Sequence, residues 1–268
     1  GRCNMANHQR ILAFENGFNF RDLGGYRTID GESLKWNNLV RSAHLSYFTH
    51  NEQRKLYGYG IRTIIDFRST SEVAFYPDQL TSLMNYIRIP VFENDLTESN
   101  ISIAEARKSF SKDPQAGFNR MMEVYCQFVT DEKAQEAFHT FIKKLCLHSA
   151  QGGVLFHCSA GKDRTGLGAI YLLSLLQVPV DIIYQDYILT NKASTKRIKE
   201  RLRYAIKNNL GDNYLHSIYD LSTANRCYYD QAISLINNKY GGMTSYLKDV
   251  LQISDSMVEQ LRYLYLTK

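Results

Sequence analysis

The chain has 268 residues, 44% of them hydrophobic and 22% charged, and a net charge of +5. That is the balance of an ordinary folded domain long enough to bury a sizeable core; the mild positive charge suits acidic substrates or anionic surfaces and gives no sign of nucleic-acid binding. No apolar run is long enough to span a membrane, five scattered cysteines make no disulfide framework, and no signal peptide is visible.

Gly-Arg-Cys-Asn before Met5 reads as a cloning remnant, with Met5 as the natural start. A soluble protein is expected, cytoplasmic or secreted, because an export signal already removed would leave no trace. Residues 14–20 and 26–41 predict short strands and turns, with Gly24-Gly25 and Asp30-Gly31 as turn signals. Asn51 to Tyr57 predicts a helix stopped at Gly58 and Gly60. Ile61 to Phe67 is rich in β-branched residues and predicts a buried central strand. Asp66 falls at its carboxyl end, the edge where open α/β sheets bind ligands, so Asp66 and Arg68 are site candidates.

Tyr86 to Val91 predicts a further strand, and 96–117 a polar surface insert with one short helix. Phe118 to Val129 is helical. Ala134, Ala137, Phe138, Phe141, Ile142 and Leu145 recur at helical spacing, which predicts an amphipathic helix packed on the sheet. The stretch 192–210 is strongly basic, with Ile198, Leu202, Ile206 and Leu210 on one face and Glu200 as its one carboxylate. Such a helix can cover an anion site, meet a membrane surface or lie solvated. Two or three more helices follow from Tyr228 on. No repeat, low-complexity tract or linker interrupts residues 1–268, which read as one domain.

One stretch organises the rest. Val154 to His157 is an apolar strand. Cys158-Ser159-Ala160-Gly161-Lys162-Asp163-Arg164-Thr165-Gly166 follows, and Leu167 to Leu176 is an apolar helix. A loop between strand and helix N-terminus turns backbone N–H groups into a small concavity that favours anions and thiolates. Arg164 adds a planar fork that can grip two phosphate oxygens. None of the other four cysteines has an Arg six residues on. A merely buried free Cys would leave the Gly, Arg and Thr spacing unexplained. Cys146, His148, His157 and Cys158 lie on a helix end and a strand–loop junction, without the tight Cys pairs of structural zinc sites, so no metal or cofactor is expected.

The loop resembles the signature of the cysteine-dependent phosphatases. With Lys162 and Asp163 inside it, it looks like the bacterial tyrosine and phosphoinositide phosphatase branch, which includes a secreted mycobacterial enzyme. Asn19 to Gly25, Arg41-Ser42-Ala43, Ile65 to Ser69, and Asp186-Tyr187 with Asn191 are supporting matches. The resemblance implies an α/β fold with a mostly parallel central sheet flanked by helices, and a helical lid within 190–225. It puts Arg21 and Asp22 near the loop. It implies Cys158 as nucleophile, Arg164 as phosphate ligand and Asp163 as leading general acid. Asp66, at its strand end, and Asp95, in the loop after the Tyr86 to Val91 strand, are alternative acids by position. Ser159, Ala160, Gly161, Lys162, Thr165 and Asp66 are expected around the substrate. Thr165 is expected to hydrogen-bond the Cys158 sulfur, and Lys162 to favour substrates with more than one phosphate.

The expected partners are phosphate and a phosphorylated protein, or a phosphoinositide at a membrane surface. A lipid-specific phosphatase is the nearest rival. A rhodanese-type sulfurtransferase does not call for the Arg-Thr-Gly sequel, and an inactive phosphate-binding module would not need Cys158.

Overall fold

The computed structural model describes residues 7–93, 103–148 and 151–267. Asp95, one of the three acid candidates, lies outside the described residues, as do 96–102 of the polar insert.

Five strands form the central sheet: β1 (Arg21–Asp22), β3 (Leu39–Ser42), β4 (Ile61–Asp66), β5 (Asn85–Arg88) and β6 (Gly153–His157), while β2 (Ser33–Leu34) pairs separately with β7 (Leu266–Thr267). The spatial order is β1-β3-β6-β4-β5, with β1 antiparallel and the rest parallel. The mostly parallel sheet expected from the resemblance is therefore present. Strand β6 is its middle member and is buried throughout. Residues 14–20, expected as short strands and turns, hold a turn and no strand; before them Ile11 bridges to Arg21 at the edge of β1, which itself begins at Arg21. Asn19 has a left-handed φ of 59°, which breaks extended pairing there.

The period-two alternation of a strand sorts side chains to the two faces of the sheet. Val154 and Phe156 join a large core that takes in Phe67, Phe141 and Leu172, whereas Leu155 joins a smaller one with Val40, Ile64 and Leu56. The thin side is covered by α1 (His50–Gly58), whose Thr49–Glu52 capping box fixes its start. On the thick side lie α4 (Ala116–Thr130), α5 (Glu132–His148) and α6 (Arg164–Leu175), the last buried nearly all round. Short helices α2 (Thr70–Phe75) and α3 (Ile103–Lys112) follow β4 and β5.

Beyond α6 the chain is helical: α7 (Val180–Ala193), α8 (Thr195–Lys207), α9 (Asp212–Ser222), α10 (Arg226–Tyr240), α11 (Met243–Ser245) running into a π turn at Tyr246–Val250, and α12 (Asp255–Tyr265). The basic stretch is split at Ser194, so Lys192 belongs to α7 and the rest to α8. Ile206, expected on the inward face, is 62% exposed; Ala205 is buried in its place, beside Ile198. None of the described helices is long and apolar enough to cross a membrane.

Candidate active site

Strands β3, β4 and β6 run parallel in a register that aligns Ser42, Asp66 and His157, so Cys158 leaves the sheet at the shared carboxyl edge. The loop from Cys158 ends at the first residue of α6, Arg164. Cys158 and Arg164 are each only 3% exposed. The loop turns at Gly161, whose φ is 67° and where an added Cβ would lie 2.4 Å from the Ser42 carbonyl oxygen. Only glycine fits a left-handed turn pressed against backbone.

Three consecutive loop carbonyls point away from the concave side. The Ser159 carbonyl accepts from the His44 N–H at 3.1 Å. Asn19 Nδ2 donates to the Ala160 and Gly161 carbonyls at 3.1 and 3.0 Å, and Arg41 donates to Gly161 at 2.8 Å. Braced outward, these carbonyls leave the adjoining N–H groups to an anion. The braces are themselves held. Asp186 on α7 receives Arg21 at 2.8 Å and Arg41 at 2.9 Å, and Arg21 also donates to Asn19. Burial works against the Asp186 charge, but the two guanidiniums keep its carboxyl below the usual range. Arg21 thus reaches the loop through Asn19 and Asp186. Asp22 does not: it accepts from the Gly24 and Asn37 N–H groups and from the Tyr59 hydroxyl.

Arg164 is gripped by Glu72 of α2 through two parallel hydrogen bonds, 2.6 and 2.9 Å, and the Ser159 hydroxyl donates to the same carboxylate at 2.6 Å. Burial opposes the Glu72 charge, yet Arg164 and Ser159 hold it ionised, well below the ordinary glutamate range. The guanidinium is therefore fixed before any substrate arrives. Thr165 is buried, and its Oγ1 has no hydrogen-bond partner among the described residues, so the expected contact with the Cys158 sulfur is not made in this structure.

Asp163 sits beneath the loop, 8% exposed. Its Oδ1 accepts from Tyr125 of α4 at 2.6 Å and lies 3.2 Å from Lys162 Nζ. The Tyr125 hydroxyl is 2.8 Å from that of Tyr187. Burial and the Asp163 charge push both phenols far up, so they act as neutral donors and acceptors. Lys162 is 1% exposed; its ammonium donates to the Thr223 carbonyl after α9 and lies over the Tyr228 ring. It ties the loop to the helical region that follows and does not stand free for a second phosphate. Nearby, burial raises the Asp220 carboxyl above its ordinary range, with His216 and Lys162 opposing.

Behind Cys158 lies a second buried cluster. His157 Nδ1 is 2.8 Å from the Cys158 carbonyl, and Nε2 is 2.5 Å from Asp78 and 3.8 Å from Asp66. Both ring nitrogens face acceptors, which calls for a doubly protonated ring. Burial alone would lower the His157 pKa; Asp66 and Asp78 override it and raise it to about 9. Arg68 completes the group, donating to Asp66 at 2.9 Å and to Asp78 at 3.2 Å. Two carboxylates thus face two cations. Burial again opposes, but His157 and Arg68 lower the Asp66 pKa to about 2. Asp66, Asp78 and His157 bring ligand-type atoms within 4.8 Å of one another, yet Arg68 already supplies the charge a metal would bring. Asp66 is fully buried and also accepts from the Tyr86 hydroxyl, so it supports His157 from the far side of the strand end.

The model of the tyrosine phosphatase family matches residues 12–267. The chain belongs to the tyrosine phosphatase family. A putative tyrosine-protein phosphatase of Cupriavidus necator is 29% identical over 257 residues, covering 95% of this chain and 88% of that one. The triple specificity protein phosphatase PtpB of Mycobacterium tuberculosis is 27% identical over 280 residues, 94% of this chain and 98% of its own. A tyrosine-protein phosphatase of Nostoc commune is 27% identical over 232 residues, 83% and 72% of the two chains. The chain is thus a protein tyrosine phosphatase.

Within this phosphatase, several residues around the loop carry no signal that sequence reading alone turned into a role. The local signal at Glu72 is that of a capping box, three residues after Ser69. Asp78 and Tyr125 belong to no motif. Arg41 and Asp186 stood in supporting matches, without an assigned partner.

Proposed function

We propose that the phosphatase hydrolyses phosphotyrosine through a thiophosphate on Cys158, with phosphoserine and phosphothreonine as further substrates. The Cys158 thiolate attacks phosphorus in line, the phosphorus–oxygen bond to the leaving group breaks, and the departing oxygen takes a proton from Asp163. Water then attacks the thiophosphate and gives one of its own protons to Asp163, the phosphorus–sulfur bond breaks, and phosphate and the thiolate are released. The transition state is loose, so the work falls to charge stabilisation by loop N–H groups and Arg164. The observation that carries the reading is the Arg164 fork, fixed by Glu72 at the end of a loop whose carbonyls are braced outward.

The nearly buried nucleophile favours a phosphate on a long, rigid arm, which is phosphotyrosine rather than phosphoserine. The name of the mycobacterial relative, a triple specificity phosphatase, supports the wider range. A phosphoinositide is the second reading, favoured by the cation-rich exposed face of α8 beside the loop. A side-by-side assay of phosphotyrosine peptides, phosphoserine peptides and phosphoinositides tests the substrate. Cys158→Ser tests the chemistry: turnover is abolished while phosphate binding remains, and steady-state hydrolysis by that variant removes Cys158 as nucleophile.

A further inference from the structure

Lys192, Lys196, Lys199 and Arg203 are spaced four, three and four residues apart, and together they line one open concavity of about 510 Å³ along the end of α7 and the length of α8. All four side chains are exposed. Among the described residues none of the four makes a side-chain hydrogen bond or ion pair. Glu200 shares the concavity. It lies four residues after Lys196, the weaker order for a helical ion pair, and does not close on it.

Inward, α8 is held by Ile198 and Ala205. At 100° per residue, Lys196, Lys199 and Arg203 then fall on the opposite, outward arc. Tyr204, 56% exposed, and Ile206, 62% exposed, flank that arc on its two sides. A cationic face edged by an aromatic and an aliphatic side chain is the composition of a helix that lies in a membrane interface. A merely solvated helix more often alternates its charges.

The face is joined to the catalytic loop. The Asn19 N–H donates to the carbonyl of Ala193, the last residue of α7, at 3.1 Å, and the Asn19 side chain braces the Ala160 and Gly161 carbonyls. Arg197 of α8 lies 6.0 Å over the Phe18 ring, one residue before Asn19. A surface adsorbed on α8 therefore lies beside the loop.

We propose that the outward face of α8, with Lys192, docks this phosphatase on an anionic lipid bilayer. This does not depend on which phosphoester is hydrolysed. Each cation near such a surface adds roughly a fivefold gain in binding, so four give several hundredfold before losses.

The test is co-sedimentation of the intact chain with vesicles of phosphatidylcholine alone and with about a third phosphatidylserine. Binding is expected only to the anionic vesicles and should fall steeply as salt screens the surface. Lys196→Glu, Lys199→Glu and Arg203→Glu combined should lower that binding at least about tenfold, with hydrolysis of a soluble aryl phosphate unchanged. The glutamine versions of the same three substitutions, which add no repulsion, should give a smaller loss and keep the test open should the charge reversal disturb folding. Equal binding to neutral vesicles, no binding to either, or full binding by the triple variants overturns the proposal. So does displacement of the vesicles by polyglutamate at matched charge, which would reassign the face to an acidic protein.

Discussion

His157 ties the stability of this phosphatase to pH. In the folded chain its pKa is raised from the ordinary 6.5 to about 9. A histidine that binds its proton more tightly when folded stabilises the fold fully below 6.5, and that contribution is lost as pH rises through 9. With about 1.4 kcal/mol per pH unit, the shift corresponds to about 3 kcal/mol lost between those limits. Asp78→Asn removes one of the two carboxylates that balance His157 and Arg68. The variant cluster then carries one uncompensated positive charge unless His157 gives up its proton. His157 is expected to do so, because burial already works against its charge. Urea unfolding of wild type and Asp78→Asn should therefore differ by about 3 kcal/mol at neutral pH, and the difference should shrink above pH 9. Other titrating groups cancel in the comparison. A wild-type stability flat across this window, or the same slope in Asp78→Asn, would refute the charged His157.

Arg164→Lys keeps the charge but loses the two-pronged fit to Glu72 and phosphate, so kcat/KM should fall by roughly a hundredfold or more; near-normal kinetics would show that phosphate binds elsewhere. Glu72→Gln keeps the volume but frees the guanidinium, and the expected loss is about a hundredfold in kcat/KM through misplacement, with a lower unfolding midpoint from the weakened α2 cap. Asp163→Asn should slow alkyl phosphates by roughly a hundredfold while sparing activated aryl phosphates, whose leaving groups need no proton. Asp66→Asn, Asp95→Asn and Asp220→Asn are run alongside, and the acid belongs to whichever residue shows that leaving-group dependence. Tyr125→Phe removes the donor that fixes Asp163 Oδ1, and should give a milder defect of the same leaving-group type with phosphate affinity unchanged. A loss shared equally by all substrates would make Tyr125 a support of the loop alone.

What the sequence by itself determined is contiguous. Strand, loop and helix are written within residues 153–175, where hydrophobic pattern, Gly161 and Arg164 follow one another. The elements around them were legible for the same reason: α5 from its spacing, β4 from its β-branched run, α1 from its glycine stop. The local pattern failed at residues 14–20, where apolar residues serve a loop turned by Asn19, and at Ile206, which periodicity turns inward and packing turns out. Only the tertiary structure decided what the loop's side chains do. Lys162 donates to the Thr223 carbonyl, 61 residues away. Arg164 finds its carboxylate 92 residues away at Glu72, and His157 finds Asp78 at a separation of 79. A buried charge must be met by another, and its partner comes from whichever element the packed sheet brings beside it, at a distance along the chain that no local spacing records.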